Sequence, residues 1–335
     1  MKARLYIVLL LLALMPAGCH LIDDDLSVCG VDYLIDYKMR LTTEIHVTIE
    51  EKLSLEIEKP IADALRIWAD PIFSGRAHDL DMCFYALDGT NELKHHQFEV
   101  IDATQKSYTL TIPRQDYQHL AVVNTADNGN VSLSGSTNAT TMRIEQREAD
   151  TLPSHPTAIY TARLQMHMSD EPEGDLSFDV PLYMISSAVA LVVIDSTETS
   201  HPELQSVTIG GTATGFNVLD STFTYSHPSV IRAQKVTSQC YAAVTLPSAD
   251  KPAAMRGKMK RAEDACWTIC VHTRLTDGSI TETVLDIKNP LQAGTLEIIK
   301  VYMHDDGTVE PSDVEVGVTV TLDWKQGSSQ ELITG

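Results

Sequence analysis

Cys19 is the residue with the clearest chemistry in this sequence. It directly follows Pro16-Ala17-Gly18, which follow Leu5 to Met15, a run of 11 consecutive apolar residues behind the basic start Met1-Lys2-Ala3-Arg4. A basic segment, a short apolar run and small residues before a cleavage point make an export signal that is removed from the mature chain. The apolar run is too short to span a bilayer, which takes about 20 residues. A thiol that becomes the first mature residue can carry acyl chains. Each buried CH₂ supplies about 0.8 kcal/mol and one chain alone anchors only marginally, so stable anchoring takes more than one chain.

The arrangement resembles the bacterial lipobox, with Pro16 where Leu is usual. Residues 1–18 are therefore read as a signal peptide, residues 19–30 as a lipidated tether, and Cys19 as the lipidation site. Asp23-Asp24-Asp25 comes soon after. Such a run keeps a tether solvated, and an acidic triplet behind a lipid Cys also resembles the surface-export signal of Bacteroidetes lipoproteins. The resulting expectation is a protein held on the outer membrane by lipid and exposed at the cell surface.

Other candidate groups are weaker. Of 12 histidines only His95 and His96 are adjacent, and neighbours on a strand face opposite ways, so they are poorly placed to chelate one ion. Asp79 and Asp81 share a strand face and could be an acid pair or calcium ligands, but solvated strand positions are the expectation. There is no G-x-S-x-G elbow, H-E-x-x-H pair, P-loop or dinucleotide fingerprint. No catalytic residue, cofactor or metal is assigned, and the chain is not expected to be an enzyme.

Six cysteines are present, and with Cys19 lipidated an odd number remains: Cys29, Cys83, Cys240, Cys266 and Cys270. In an oxidising compartment that leaves at least one thiol free. Cys266 and Cys270 lie about 13 Å apart along a strand, beyond disulfide reach; Cys240 could pair with either.

Removing residues 1–18 leaves 335 − 18 = 317 residues, and removes Lys2 and Arg4 but no acid, so the net charge becomes −21 − 2 = −23. So acidic a chain will not bind nucleic acid by neutralising phosphates. Its length suits two domains of about 150 residues.

The elements that position these groups are extended. Apolar residues recur with period two at Tyr33–Leu41, Leu80–Ala86, Tyr108–Ile112 and Val314–Trp324, and Leu176 to Ile194 is apolar almost throughout. Asp305-Asp306-Gly307 reads as a hairpin turn. One helix is expected from Pro60, with Ile61, Leu65 and Trp68 on one face, ending before Pro71. The apolar-free stretch Ser169 to Asp175 is the best linker, giving an N-terminal β-sandwich over 31–172 and a C-terminal one over 173–335; a hairpin loop within one domain is the alternative. The fold class is all-β, with little helix.

With no catalytic cluster, binding would rest on strand edges, which accept or donate a strand through main-chain hydrogen bonds. The final strand with its polar tail Lys325 to Gly335 is one candidate and the run from Tyr33 the other.

Cys19-His20-Leu21-Ile22-Asp23-Asp24-Asp25-Leu26-Ser27-Val28-Cys29, followed by Tyr33-Leu34-Ile35-Asp36-Tyr37, resembles the start of the fimbrillin-A-associated anchor lipoproteins of Bacteroidetes. Asp79 to Tyr85, Leu291 to Met303 and Val314 to Trp324 resemble later strands of that family; Gly30 departs from the Pro expected there. The resemblance implies two tandem transthyretin-like β-sandwiches with Greek-key-like sheets. It also implies a lipoprotein at the base of a fimbria, anchoring the shaft and often controlling its length, with shaft or accessory subunits as partners. A surface adhesin or glycan-binding lipoprotein is the alternative.

Overall fold

The computed structural model describes residues 32–41, 58–73, 77–100, 108–168, 176–228, 230–250, 265–312 and 318–321. The chain is all-β apart from one α-helix and a short 3₁₀ turn among these residues. The strands, numbered in chain order, form four sheets. A seven-stranded sheet has the order β3 (Leu93–Val100), β2 (Asp79–Ala86), β5 (Tyr117–Val123), β9 (Tyr160–Met166), β10 (Leu176–Met184), β1 (Asp32–Leu41), β4 (Tyr108–Pro113). A six-stranded sheet runs β16 (Gln234–Lys235), β17 (Cys240–Thr245), β11 (Ser187–Asp195), β20 (Thr295–Met303), β21 (Val309–Pro311), with β22 (Val318–Thr321) also on β20. A five-stranded sheet runs β19 (Ile280–Ile287), β18 (Trp267–Arg274), β12 (Glu203–Gly210), β15 (Val230–Arg232), β8 (Leu152–Pro153). A four-stranded sheet runs β14 (Thr222–Thr224), β13 (Gly215–Asn217), β7 (Arg143–Gln146), β6 (Val131–Ser134).

Three apolar cores hold the sheets together, and strand periodicity decides which residue enters which. On β2, Leu80, Met82 and Phe84 enter the first core, while Cys83 and Tyr85 enter the third. On β11, Ala188, Ala190 and Val192 enter the first core, and Val189, Leu191 and Val193 the second. Both strands are therefore covered on both faces, which explains their near-continuous apolar runs. The first core lies between the seven- and six-stranded sheets, the second between the six- and five-stranded sheets, and the third between the seven- and four-stranded sheets.

The helix, α1 (Lys59–Phe73), fills the first core with Ile61, Leu65, Ala69, Ile72 and Phe73. Full burial of a side chain such as Leu65 is worth about 2 kcal/mol. The helix opens where the Ile61 and Ala62 N–H groups donate to Glu58 O at 2.9 and 3.0 Å. It does not stop before Pro71, as the sequence suggests, but includes it. Pro71 falls in the last turn, where it removes the N–H that would donate to Ile67 O, and burial of Ile72 and Phe73 offsets that loss and keeps the turn wound.

Residues 169–175, expected to separate two sandwiches, lie outside the described residues. The strands on either side, β9 and β10, are antiparallel neighbours in one sheet, pairing Thr161 with Tyr183 and Tyr160 with Met184. β10 stays with the seven-stranded sheet by pairing in parallel with β1 from Ile35↔Leu176 to Leu41↔Leu182, and the six-stranded sheet takes up the next strand, β11. Further contacts tie early strands to late ones: β7 pairs with β13 and β8 with β15.

Candidate assembly edges and a polar cluster

Cys19, Asp23, Asp24, Asp25 and Cys29 lie outside the described residues. Of the two strand-addition candidates, the run from Tyr33 is not an open edge. β1 sits inside the seven-stranded sheet, and Ile35 to Tyr37 pair with β10 on one side and with β4 on the other. Its backbone groups there are already spent on two ladders, so a further strand has no place to add.

The final strand is different. β22 pairs antiparallel with β20, from Thr295↔Thr321 to Ile298↔Val318, and has no second strand beside it among the described residues. β21 continues along the same side of β20, pairing Val301 to Met303 with Pro311 to Val309. Val314 to Gly317 and Leu322 to Gly335 lie outside the described residues.

β3 is the outer strand of the seven-stranded sheet, with Phe98 45% and Val100 73% exposed. Its two histidines part as strand geometry requires. The His95 ring lies 5.7 Å from that of Phe84. His96 is exposed, and its Nε2 stands 3.1 Å from Asp81 Oδ1. Cys83 Sγ donates to the same oxygen at 3.4 Å. Burial pushes the Cys83 thiol up to about 12.

Asp79 is not the solvated position its alternation suggests. It is 3% exposed, and its Oδ1 accepts the Thr125 and Ala126 N–H groups at 3.1 and 3.3 Å, capping the turn after β5. Asp79 and Asp81 therefore serve separate local networks. A second mixed cluster joins Cys270, His272 and Glu282, with His272 Nε2 3.0 Å from Glu282 Oε2 and Nδ1 4.0 Å from Cys270 Sγ. Cys83, Cys240 and Cys270 are free thiols and, like Cys266, are buried. Cys240 points into the first core and Cys266 into the second, so the six-stranded sheet stands between those two thiols.

The expected turn at Asp305-Asp306-Gly307 joins β20 to β21, with Gly307 at φ +77°. The sequence did not suggest what Asp305 does there. Its carboxylate accepts the Glu198, Thr199 and Ser200 N–H groups at 3.0–3.1 Å and the Thr199 hydroxyl at 2.9 Å. The Ser200 amide, then the Thr199 amide, hold that carboxyl well below the usual carboxylate range. The clamp persists above this lowered value and is lost only as pH falls through it. Replacing Asp305 with Asn should speed hydrogen exchange at the amides of Glu198, Thr199 and Ser200 while leaving the global unfolding midpoint nearly unchanged.

The sequence profile of the family described as fimbrillin-A associated anchor proteins Mfa1 and Mfa2 matches residues 65–326. No curated protein sequence matches the chain. Among solved structures, a candidate polysaccharide-binding protein of Bacteroides thetaiotaomicron is 8% identical, covering 89% of this chain and 100% of its own, at a TM-score of 0.51. A candidate adhesin of Bacteroides ovatus is 10% identical, with 92% and 98% covered, at 0.50. The fimbrial anchor protein Mfa2 of Porphyromonas gingivalis is 13% identical, with 87% and 98% covered, at 0.47.

Proposed function

The chain belongs to the fimbrillin-A associated anchor protein family, and from that premise we propose that it is an outer-membrane lipoprotein anchoring a fimbria to the cell surface and controlling its length. Cys19 carries the lipid, Asp23-Asp24-Asp25 directs the chain to the surface, and the mature chain from residue 19 stands at the fimbrial base. Its partners are the shaft or accessory subunits, joined by β-strand addition. The reading rests on the family match together with a Cys placed directly behind an export signal.

The edge of β22 supports the joining mode: among the described residues this last strand pairs on one side only, with β20, and a polar tail follows it in sequence. A strand added there would gain main-chain hydrogen bonds with pockets for alternate side chains. The alternative, a surface adhesin or glycan-binding lipoprotein, needs an aromatic platform. The exposed large aromatics among the described residues are Phe98, Tyr183 and Tyr302, on β3, β10 and β20, which are not neighbouring strands.

Replacing Cys19 with Ala tests the reading. The variant chain is expected in the soluble fraction, with fimbriae shed into the medium. Fimbriae retained on cells producing only the Ala variant would refute it.

A further inference from the structure

We propose that Asp81, Cys83 and His96 form a zinc-binding site with three protein ligands and an open fourth position. The three residues come together through strand register. Asp81 and Cys83 are two apart on β2 and so share a face, and Cys83 is the direct cross-strand partner of His96 on β3. The register of the same ladder shifts between Phe84 and Tyr85, just past the Cys83–His96 pair.

The distances suit one ion. Zinc binds thiolate at about 2.3 Å and imidazole or carboxylate at about 2.0–2.2 Å in a tetrahedron, so its ligands stand roughly 3.3–3.6 Å apart. Asp81 Oδ1 is 3.4 Å from Cys83 Sγ and 3.1 Å from His96 Nε2, and all three ligand atoms lie within 4.8 Å of one another. A mixed sulfur, nitrogen and oxygen set favours zinc over calcium or magnesium, which take oxygen ligands. The cluster has a wet side and a dry side. The His96 and Asp81 side chains are 43% and 15% exposed, which gives an ion its way in. Cys83 is fully buried among the apolar residues of the third core.

The cluster of Cys270, His272 and Glu282 is equally compact but less suited. There the imidazole turns Nδ1 toward Cys270 and Nε2 toward Glu282, and one ring cannot bring both nitrogens to a single ion. An ion on the first cluster would tie β3, paired only to β2, to the body of its sheet.

The test uses the full mature chain, isolated in detergent and stripped with chelator, with cobalt(II) as a spectroscopic stand-in that zinc displaces. The expected result is one equivalent bound with a thiolate-to-cobalt charge-transfer band. Cys83→Ser should abolish the band, Cys270→Ser should leave it, and His96→Gln should weaken binding by more than about tenfold, the effect of altering even an outer-shell partner. The proposal fails if folded wild-type chain gives no band, if the band survives Cys83→Ser, or if Cys270→Ser removes it. Should Cys83→Ser not fold, as judged by circular dichroism, His96→Gln decides, because that side chain is exposed and unaltered affinity there overturns the site.

Discussion

Truncating Trp267 to Ala is expected to destabilise the chain by about 4 kcal/mol, at the upper end for a single core substitution. Trp267 lies on β18, fully buried in the second core between the five- and six-stranded sheets. Its ring fills a volume that β18, held between β12 and β19, cannot close. Its Nε1–H donates to Asn289 O at 2.9 Å, so truncation also strips a partner from a carbonyl in the segment leading into β20. Trp267→Phe keeps most of the volume and should cost clearly less. Trp68, half-buried on α1 with its Nε1–H donating to Gln234 Oε1 at 3.3 Å in an exposed contact, should cost under about 1 kcal/mol when truncated. Urea unfolding followed by circular dichroism checks all three. Equal losses at Trp68 and Trp267 would contradict the assignment of the second core.

Much of the fold is legible as period. The alternations at Leu80–Ala86 and Tyr108–Ile112 become β2 and β4, the apolar run Leu176–Ile194 becomes β10 and β11, and the turn at Asp305–Gly307 lies where its residues place it. Period reports which residues share a face and nothing about which strand lies alongside. The parallel pairs β1–β10 and β11–β20 join segments more than a hundred residues apart, and no local pattern announces them. That limit made the run from Tyr33 look like an edge. It also hid Asp79, whose alternation reads as solvated but which faces the turn at Thr125. The Cys83–His96 pairing was equally invisible, because its two residues meet across a ladder and make no motif in sequence. The proposed lipidation of Cys19 is the reverse case, since it is argued wholly from local order.

Two buried titratable groups should pull stability in opposite directions with pH, and single substitutions should expose each. Glu297 on β20 is 2% exposed, and its Oε1 has no hydrogen-bond partner. It shares a face with Ile299, Val301 and Met303, which line the second core. Burial raises its carboxyl to about 7 from an ordinary 4.5. The neutral acid is therefore the form that folds well: the stability is whole below pH 4.5 and is lost as pH rises through about 7, by about 3 kcal/mol. His155 is 1% exposed with neither ring nitrogen partnered, and burial lowers it to about 4 from 6.5. Here the neutral ring folds well: stability is whole above pH 6.5 and is lost as pH falls through about 4, again by about 3 kcal/mol. His119, also fully buried, is likewise lowered to about 4, so in the wild type the two histidine slopes outweigh the acid slope where they overlap. In Glu297→Gln only the histidine slopes remain, so the variant should gain stability from about pH 4 to 7 relative to wild type; in His155→Gln the His119 slope is left to offset the acid slope, and stability should be nearly flat over the same range. Urea midpoints at a series of pH values give both profiles, and variants whose profiles run parallel to wild type would show that neither group is buried as described. Glu297 is also in register with Thr319 of β22, so its ionisation strains the ladder on which the final strand rests, and exchange of the β22 amides should quicken above about pH 7 in the wild type but not in Glu297→Gln.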